Sequence, residues 1–418
     1  MAHRQLLFLA ALLLGCPQNK PLPTPNETTT QPTDAAVAML TDAGDPDTGV
    51  AVPEPPLVGA DYFAQAKTLA RLVACSGTDP IPAKLDQKVV DDHCKEMATL
   101  IAEYKKTWVD IATPFIAKLI PKNIPSMVVY PFGGGDLLGA LSTYPDGTEF
   151  TTISLETASD VRKVDAIQPF KLKGELARYR SHLAKLFEKA HSRTDNLDIG
   201  SKSDFPGQIV FSLVALEVYG YEPSSLRYFR FEPDGTLHYF DEAEIKSAVS
   251  KAKLQQKDPD QVVFGNMELR FKKKGADPNS KAKILRHVAF NLDDWHLKAD
   301  GSLLKNLEAK GKFAAMTKAA THLLWMDNFS MIRDTILAHT DFMISDSTGV
   351  PPRFAKAAGF VQDTYGTFVG PSEFGSPGKK DSDELVKLFK TNPHVDVPFR
   401  YGYPDADHHG HIVVTRKP

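Results

Sequence analysis

From residue 126 to the C-terminus, short apolar runs alternate with stretches of helical period, and this alternation restricts the fold more than any other feature of the chain. "SMVVYPF" (126–132) reads as a buried strand, "DLLGALSTYP" (136–145) as a short helix, and "EFTTISLE" (149–156) as a second strand. Helical spacing follows over 174–192 and 205–221. It returns at "FAAMTKAATHLLWM" (313–326), "FSMIRDTILAHT" (329–340) and "DELVKLFKT" (383–391). "DFMISDSTG" (341–349), "DVPFRYGYP" (396–404) and "HIVVTRKP" (411–418) read as strands of the last third. Strands separated by helices predict an α/β fold with a largely parallel sheet and covering helices, Rossmann-like in arrangement.

Two regions depart from this rhythm. Residues 60–120 are helical in pattern: "DYFAQAKTLARLVAC" and the run 93–120 carry apolar residues at helical spacing, separated by the breakers of "SGTDPIP". In the middle, "LRYFRFEPDGTLHYF" alternates aromatics around Pro-Asp-Gly, a hairpin signature. Residues 261–294 read as a longer hairpin whose "KKK" is a solvated strand end. These hairpins are expected to form an insertion or a lobe at one sheet edge.

The N-terminus addresses the chain. His3 and Arg4 precede an apolar run, Leu6 to Leu14, which is far shorter than the roughly 20 residues a spanning helix needs. It ends in Leu13-Leu14-Gly15-Cys16, which resembles a bacterial lipobox. The resemblance implies a signal peptide over 1–15, cleavage after Gly15, and diacylglycerol on the Cys16 thiol. The mature protein would then be held to a membrane by its N-terminal acyl chains, each buried CH₂ contributing roughly 0.8 kcal/mol. Pro17 stands where inner-membrane retention favours Asp, which places the protein at the outer membrane of a two-membrane bacterium. The other reading is an ordinary secretory signal with an incidental cysteine.

With Cys16 acylated, two of the three cysteines remain, Cys75 and Cys94. An even remainder in an exported chain predicts a disulfide, which would staple the two early helices; two buried thiols are the alternative. Residues 16–57 are rich in Pro, Thr and Asp and nearly devoid of aromatics, the composition of a disordered tether. Residues 58–418 form the globular α/β domain. Its apolar share is that of an ordinary globule, 42% hydrophobic for the whole chain. A net charge of −3 argues against nucleic acid as a partner.

Four stretches could carry chemistry. In "YPFGGGD", a strand gives way to Gly133, Gly134, Gly135 and Asp136, the way α/β folds bring backbone N–H groups to a nucleotide. Glu156, ending the next strand, is placed for a ribose hydroxyl, and the order of elements resembles a class I methyltransferase. Against this, the full GxGxxG pattern is absent, and S-adenosylmethionine, NAD and ATP are not expected outside the inner membrane. The plainer reading is a tight turn with Asp136 as helix N-cap. In "SDSTGVPPRF", Asp346 and Ser347 directly follow a strand, and Arg333 on the preceding helix could meet a carboxylate or phosphate; an Asp346–Arg333 structural ion pair is the alternative. In "PDADHHGHIV", His409 and His411 would share one face of a strand and could ligate zinc or copper, without any specific metal-site spacing. No Gly-x-Ser-x-Gly elbow is present, and Ser347 sits in no recognised hydrolase signature.

Several segments also resemble a family of exported bacterial proteins of unknown function. They are "YPFGGGD" with "ISLE", "THLLWMDNFSMIRDTIL", "ISDSTGVPPRFA" and "VPFRYGY", about a third of the chain in the expected order. That family carries Gly-Pro in part of the glycine run and a second Asp where Ser345 stands. The resemblance implies a grouping and candidate positions; it implies no mechanism. On these readings the chain is an envelope lipoprotein that binds without catalysis. The alternatives are a metal-assisted hydrolase using Asp346 with the C-terminal histidines, and a degenerate or active methyltransferase-like nucleotide fold.

Overall fold

The computed structural model describes residues 57–189, 205–368, 379–402 and 410–418. The expected signal peptide, Cys16, nearly all of the tether and His409 lie outside the described residues. All described residues belong to one compact unit, Ala51–Pro418.

The chain enters through helices α1 (Phe63–Val73), α2 (Gln87–Tyr104) and α3 (Asp110–Ala117), the last two joined by a π-helical turn, Lys105–Val109. Asp86 caps α2 by accepting from the Lys88 N–H. A disulfide joins Cys75, just past α1, to Cys94 in α2, with Cα atoms 5.5 Å apart. The sequence expectation of a helical entry stapled by these two cysteines holds.

Ten strands then build a single sheet, in the order β4-β3-β5-β6-β2-β1-β7-β8-β10-β9. They are β1 (Met127–Pro131), β2 (Glu149–Ser154), β3 (Tyr221–Phe231), β4 (Leu237–Tyr239) and β5 (Asn266–Lys273), followed by β6 (Lys283–Ala289), β7 (Ala314–Thr317), β8 (Phe342–Ser345), β9 (Val361–Gly366) and β10 (His411–Arg416). The five central strands, β6 to β8, are parallel. The pairings of β3 with β4, β3 with β5, β5 with β6, and β10 with both neighbours are antiparallel. The sheet is therefore mixed, with five of nine pairings antiparallel, and the expectation of a largely parallel sheet is corrected. Three of these pairings come from the central hairpins, which form no separate lobe but add their strands to the edge beyond β6, and two from β10, which inserts antiparallel between β8 and β9.

The covering helices are α4 (Leu137–Thr143), α5 (Leu172–Lys189), α6 (Ile209–Tyr219), α7 (Glu242–Leu254), α8 (Asp294–Ala299), α9 (Ser302–Ala309), α10 (Ser330–His339), α11 (Pro352–Ala357) and α12 (Lys379–Thr391). One apolar cluster packs α1 to α6 on one sheet face; a second, with Leu303, Leu307, Ile332 and Ile336, packs α8 to α11 on the other. Helix α6 is apolar all round and nearly every side chain in it is buried, as expected for a helix covered on every side.

Two element readings fail. Residues 313–326, read as one amphipathic helix, form strand β7 and a 3-10 helix, Ala319–Trp325. Ala314 to Thr317 are fully buried between β1 and β8, where the ladder outweighs alanine's helical preference. Residues 396–402 form no strand. The partner of β10 at the edge is β9, in "VQDTYG", which the sequence reading passed over.

Candidate functional site

The direction in which successive strands are added reverses at β1, with β2 on one side and β7 on the other, and the carboxyl ends of these strands are where open α/β sheets seat ligands. The glycine run lies there. Phe132 and Gly134 both take positive φ, +59° and +50°, which turns the chain sharply away from β1. Gly133 N–H donates to the Tyr130 carbonyl at 3.2 Å, and Asp136 N–H to that of Gly133 at 2.9 Å. A Cβ at 133 would stand 2.5 Å from Tyr130 Cγ, and one at 135 only 2.4 Å from Gln208 Oε1. The glycines are thus filled in by the protein's own side chains.

Asp136 caps α4: its Oδ1 accepts from Gly139 N–H at 2.8 Å, while Oδ2 accepts from Tyr130 OH at 3.1 Å. The turn-and-cap reading of this stretch is what the structure shows. A buried carboxylate at the start of a seven-residue helix also repels any anion from it. Lys318, the residue after β7, points its Nζ to within 3.5 Å of Asp136 Oδ2 and is itself buried. The sequence reading did not single out Lys318; had "AAMT" been read as a strand, its position at the strand end would have drawn attention.

Asp346, after β8, lies against the same cluster. Its Oδ1 accepts from Thr348 N–H at 2.8 Å, and Thr348 Oγ1 is 2.7 Å from Thr321 Oγ1. Tyr401 closes the cluster, with Lys318 Nζ 5.1 Å from its ring centroid. Gly402, at φ +79°, lets the chain pass over Asp346, where a Cβ would stand 2.4 Å from that of the aspartate. The π-helical turn fixes this closing segment: Trp108 Nε1 donates to the Arg400 carbonyl at 2.6 Å. Burial, and then the Asp136 charge, push the Tyr130 phenol well above its usual range; burial and then Asp346 do the same to Tyr401. Both phenols are therefore neutral, and that of Tyr130 donates to Asp136.

Ser347 Oγ is 2.9 Å from His411 Nε2, and both side chains are buried. The His411 ring packs on Phe368 and Phe389. Among the described residues no group of three His, Cys, Asp or Glu side chains could hold a metal ion, and His409, the other expected ligand, lies outside them. Arg333 does not pair with Asp346. Its Nη1 donates to the carbonyls of Leu324 and Met326, both at 3.1 Å, and its guanidinium stacks on Phe354. Glu156 follows β2, and its carbonyl accepts from His287 Nε2 at 2.8 Å, an imidazole that also meets the Gly134 backbone of the glycine turn. Because that carbonyl can only accept, His287 carries its proton on Nε2, and burial holds its pKa below the usual value. Asp136 and Asp346 therefore converge, Ser347 and His411 meet beside them, and Arg333 and Glu156 serve neighbouring segments.

A separate cleft of about 240 Å³ opens at the opposite, amino end of β1, among Ala117, Ile124, Ser126 and Gly147, and none of the candidate residues lines it. Compared with protein-family models, with curated proteins and with solved structures, the chain matches none.

Proposed function

We propose that this chain is a lipid-anchored protein of the bacterial cell envelope, held by Cys16 at the outer membrane, that binds a partner and performs no chemistry. The order and directions of strands β6-β2-β1-β7-β8-β10-β9 are read as those of a class I methyltransferase sheet whose cofactor crevice is filled by its own side chains. One observation carries this reading. Where the sheet would seat an adenosyl group, the Lys318 ammonium and the Asp136 carboxylate face each other, buried, beneath Tyr401. Inserting a ligand would separate a buried ion pair and leave each charge without its partner, which costs several kcal/mol.

The test is a thermal-shift panel of S-adenosylmethionine, NAD and ATP. A binder at about 100 times its dissociation constant adds roughly 2.7 kcal/mol, which is easily seen. No shift with any of them is expected, and a saturable shift with one would overturn the filled-crevice reading.

The Ser347–His411 contact favours one second reading, a hydrolase in which His411 Nε2 takes the Ser347 proton as Oγ attacks an acyl carbon, gives it to the alkoxide or amine that departs, and water then releases the acyl group by the same two steps. Labelling of Ser347 by a fluorophosphonate, lost in His411→Ala, would select it; an unlabelled wild type discards it.

A further inference from the structure

Four adjacent parallel strands, β6, β2, β1 and β7, deliver the chain to the carboxyl end of the sheet, and the segments after three of them present an apolar side chain to solvent. Trp295 follows β6 and is 72% exposed, Leu155 follows β2 at 66%, and Met326 comes after β7 at 46%. Phe132, after β1, is half-buried with its ring on Phe329, centroids 5.8 Å apart.

Register and hydrogen bonds put these residues side by side. Pro131 lies opposite Ile153, so Phe132 and Leu155 leave neighbouring strands close to the same level. Asp294, the neighbour of Trp295, accepts from Ser330 Oγ at 2.6 Å and from Met331 N–H at 2.9 Å. That contact draws the helix bearing Trp295 against the segment running from Met326 to Phe329. Trp108 and Trp325, the other two tryptophans, are buried, so Trp295 stands out for its exposure.

The rim is also acidic. Over residues 155–157, 290–299 and 326–334 lie Glu156, Asp293, Asp294, Asp327 and Asp334, and within those bounds the exposed lysine or arginine is Lys298, with His296 bonded to Asp293 at 2.8 Å. We propose that this rim is a docking surface for a basic amphipathic segment of a partner protein. The inference deepens the binding reading above and rests on it, but it does not depend on the lipid anchor. Large, fixed apolar side chains ringed by charge are how association surfaces are built, with Trp and Met as anchors. The carboxylates choose the occupant: they attract lysine and arginine and repel an anionic lipid surface.

The full chain carrying Cys16→Ser, free of acyl groups, would be titrated against labelled peptides by fluorescence anisotropy. An amphipathic Leu/Lys peptide is expected to bind saturably, and its Leu/Glu and Ser/Lys counterparts at least about tenfold more weakly. The double variant Leu155→Ser, Trp295→Ala should weaken the Leu/Lys peptide by at least about tenfold with circular dichroism unchanged, and Asp327→Lys with Asp334→Lys should weaken it most at low salt. Equal binding of the Leu/Lys and Leu/Glu peptides, or binding indifferent to these variants, would overturn the proposal. So would a blue shift of Trp295 emission with zwitterionic vesicles and none with peptide. A null peptide titration leaves the ligand panel above untouched, so the two readings fail separately.

Discussion

His93 is one imidazole held between a carbonyl and a guanidinium. Its Nε2 lies 3.2 Å from the Val73 carbonyl, which can only accept, so Nε2 carries the proton and Nδ1 accepts from Arg180 Nη1 at 2.7 Å. Burial, with a smaller push from Arg180, lowers its pKa from 6.5 to about 4. The sign follows from proton counting. Between those values the unfolded chain takes up a proton that the folded protein refuses, so stability is complete above pH 6.5 and lost as pH falls. The slope is roughly 1.4 kcal/mol per pH unit, about 3 kcal/mol in all. His93→Gln supplies an amide that can donate to the Val73 carbonyl and accept from Arg180, and it does not titrate. Urea midpoints of the wild type should fall more steeply than the variant's between pH 6.5 and 4.5, and parallel curves would remove His93 as the cause. Nothing in "DDHCKE" disclosed this, because the Arg180 that faces the ring lies on a different helix.

Among the elements, the entry helices show how much a local pattern can say. Helix α1 stops at Val73, and Cys75 then takes φ +59°, aiming its sulfur back at α2. Cysteine counting, with Cys16 set aside by the lipobox resemblance, pointed to this staple. Replacing both cysteines, Cys75→Ser with Cys94→Ser, is expected to cost about 3 kcal/mol in the chain-entropy picture. Denaturation of wild type with and without reductant, beside the double variant, checks it: reduction should bring the wild type to the variant's stability and leave the variant unmoved. Strand β7 illustrates the opposite case. "AAMT" has no strand propensity of its own, and the four residues are extended because β1 and β8 offer them a ladder on both sides. Strand β9 was hidden for a related reason: its alternation is half-polar, and only antiparallel pairing with β10 makes it a strand.

On the scale of the whole molecule, the proposed anchor and the sheet answer to different physics. No helix among the described residues is long and apolar enough to cross a membrane, so anchoring on this proposal falls to the acyl chains at Cys16. Cell fractionation tests it. The wild type should sediment with membranes and require detergent for release, and Cys16→Ser should stay soluble; a soluble wild type would reject the anchor. The glycine turn, the Asp136 cap, the hairpin at Pro233-Asp234-Gly235, the helical entry and the cysteine pair were determined by sequence alone, because each depends on residues close in the chain or on simple counting. Tertiary structure alone decided that Asp136, Lys318, Asp346 and Tyr401 meet, that Arg333 turns away from them, and that the hairpins join the main sheet. Those outcomes follow from strand order and register, which bring together residues hundreds of positions apart and are set by burial of whole faces rather than by any local pattern.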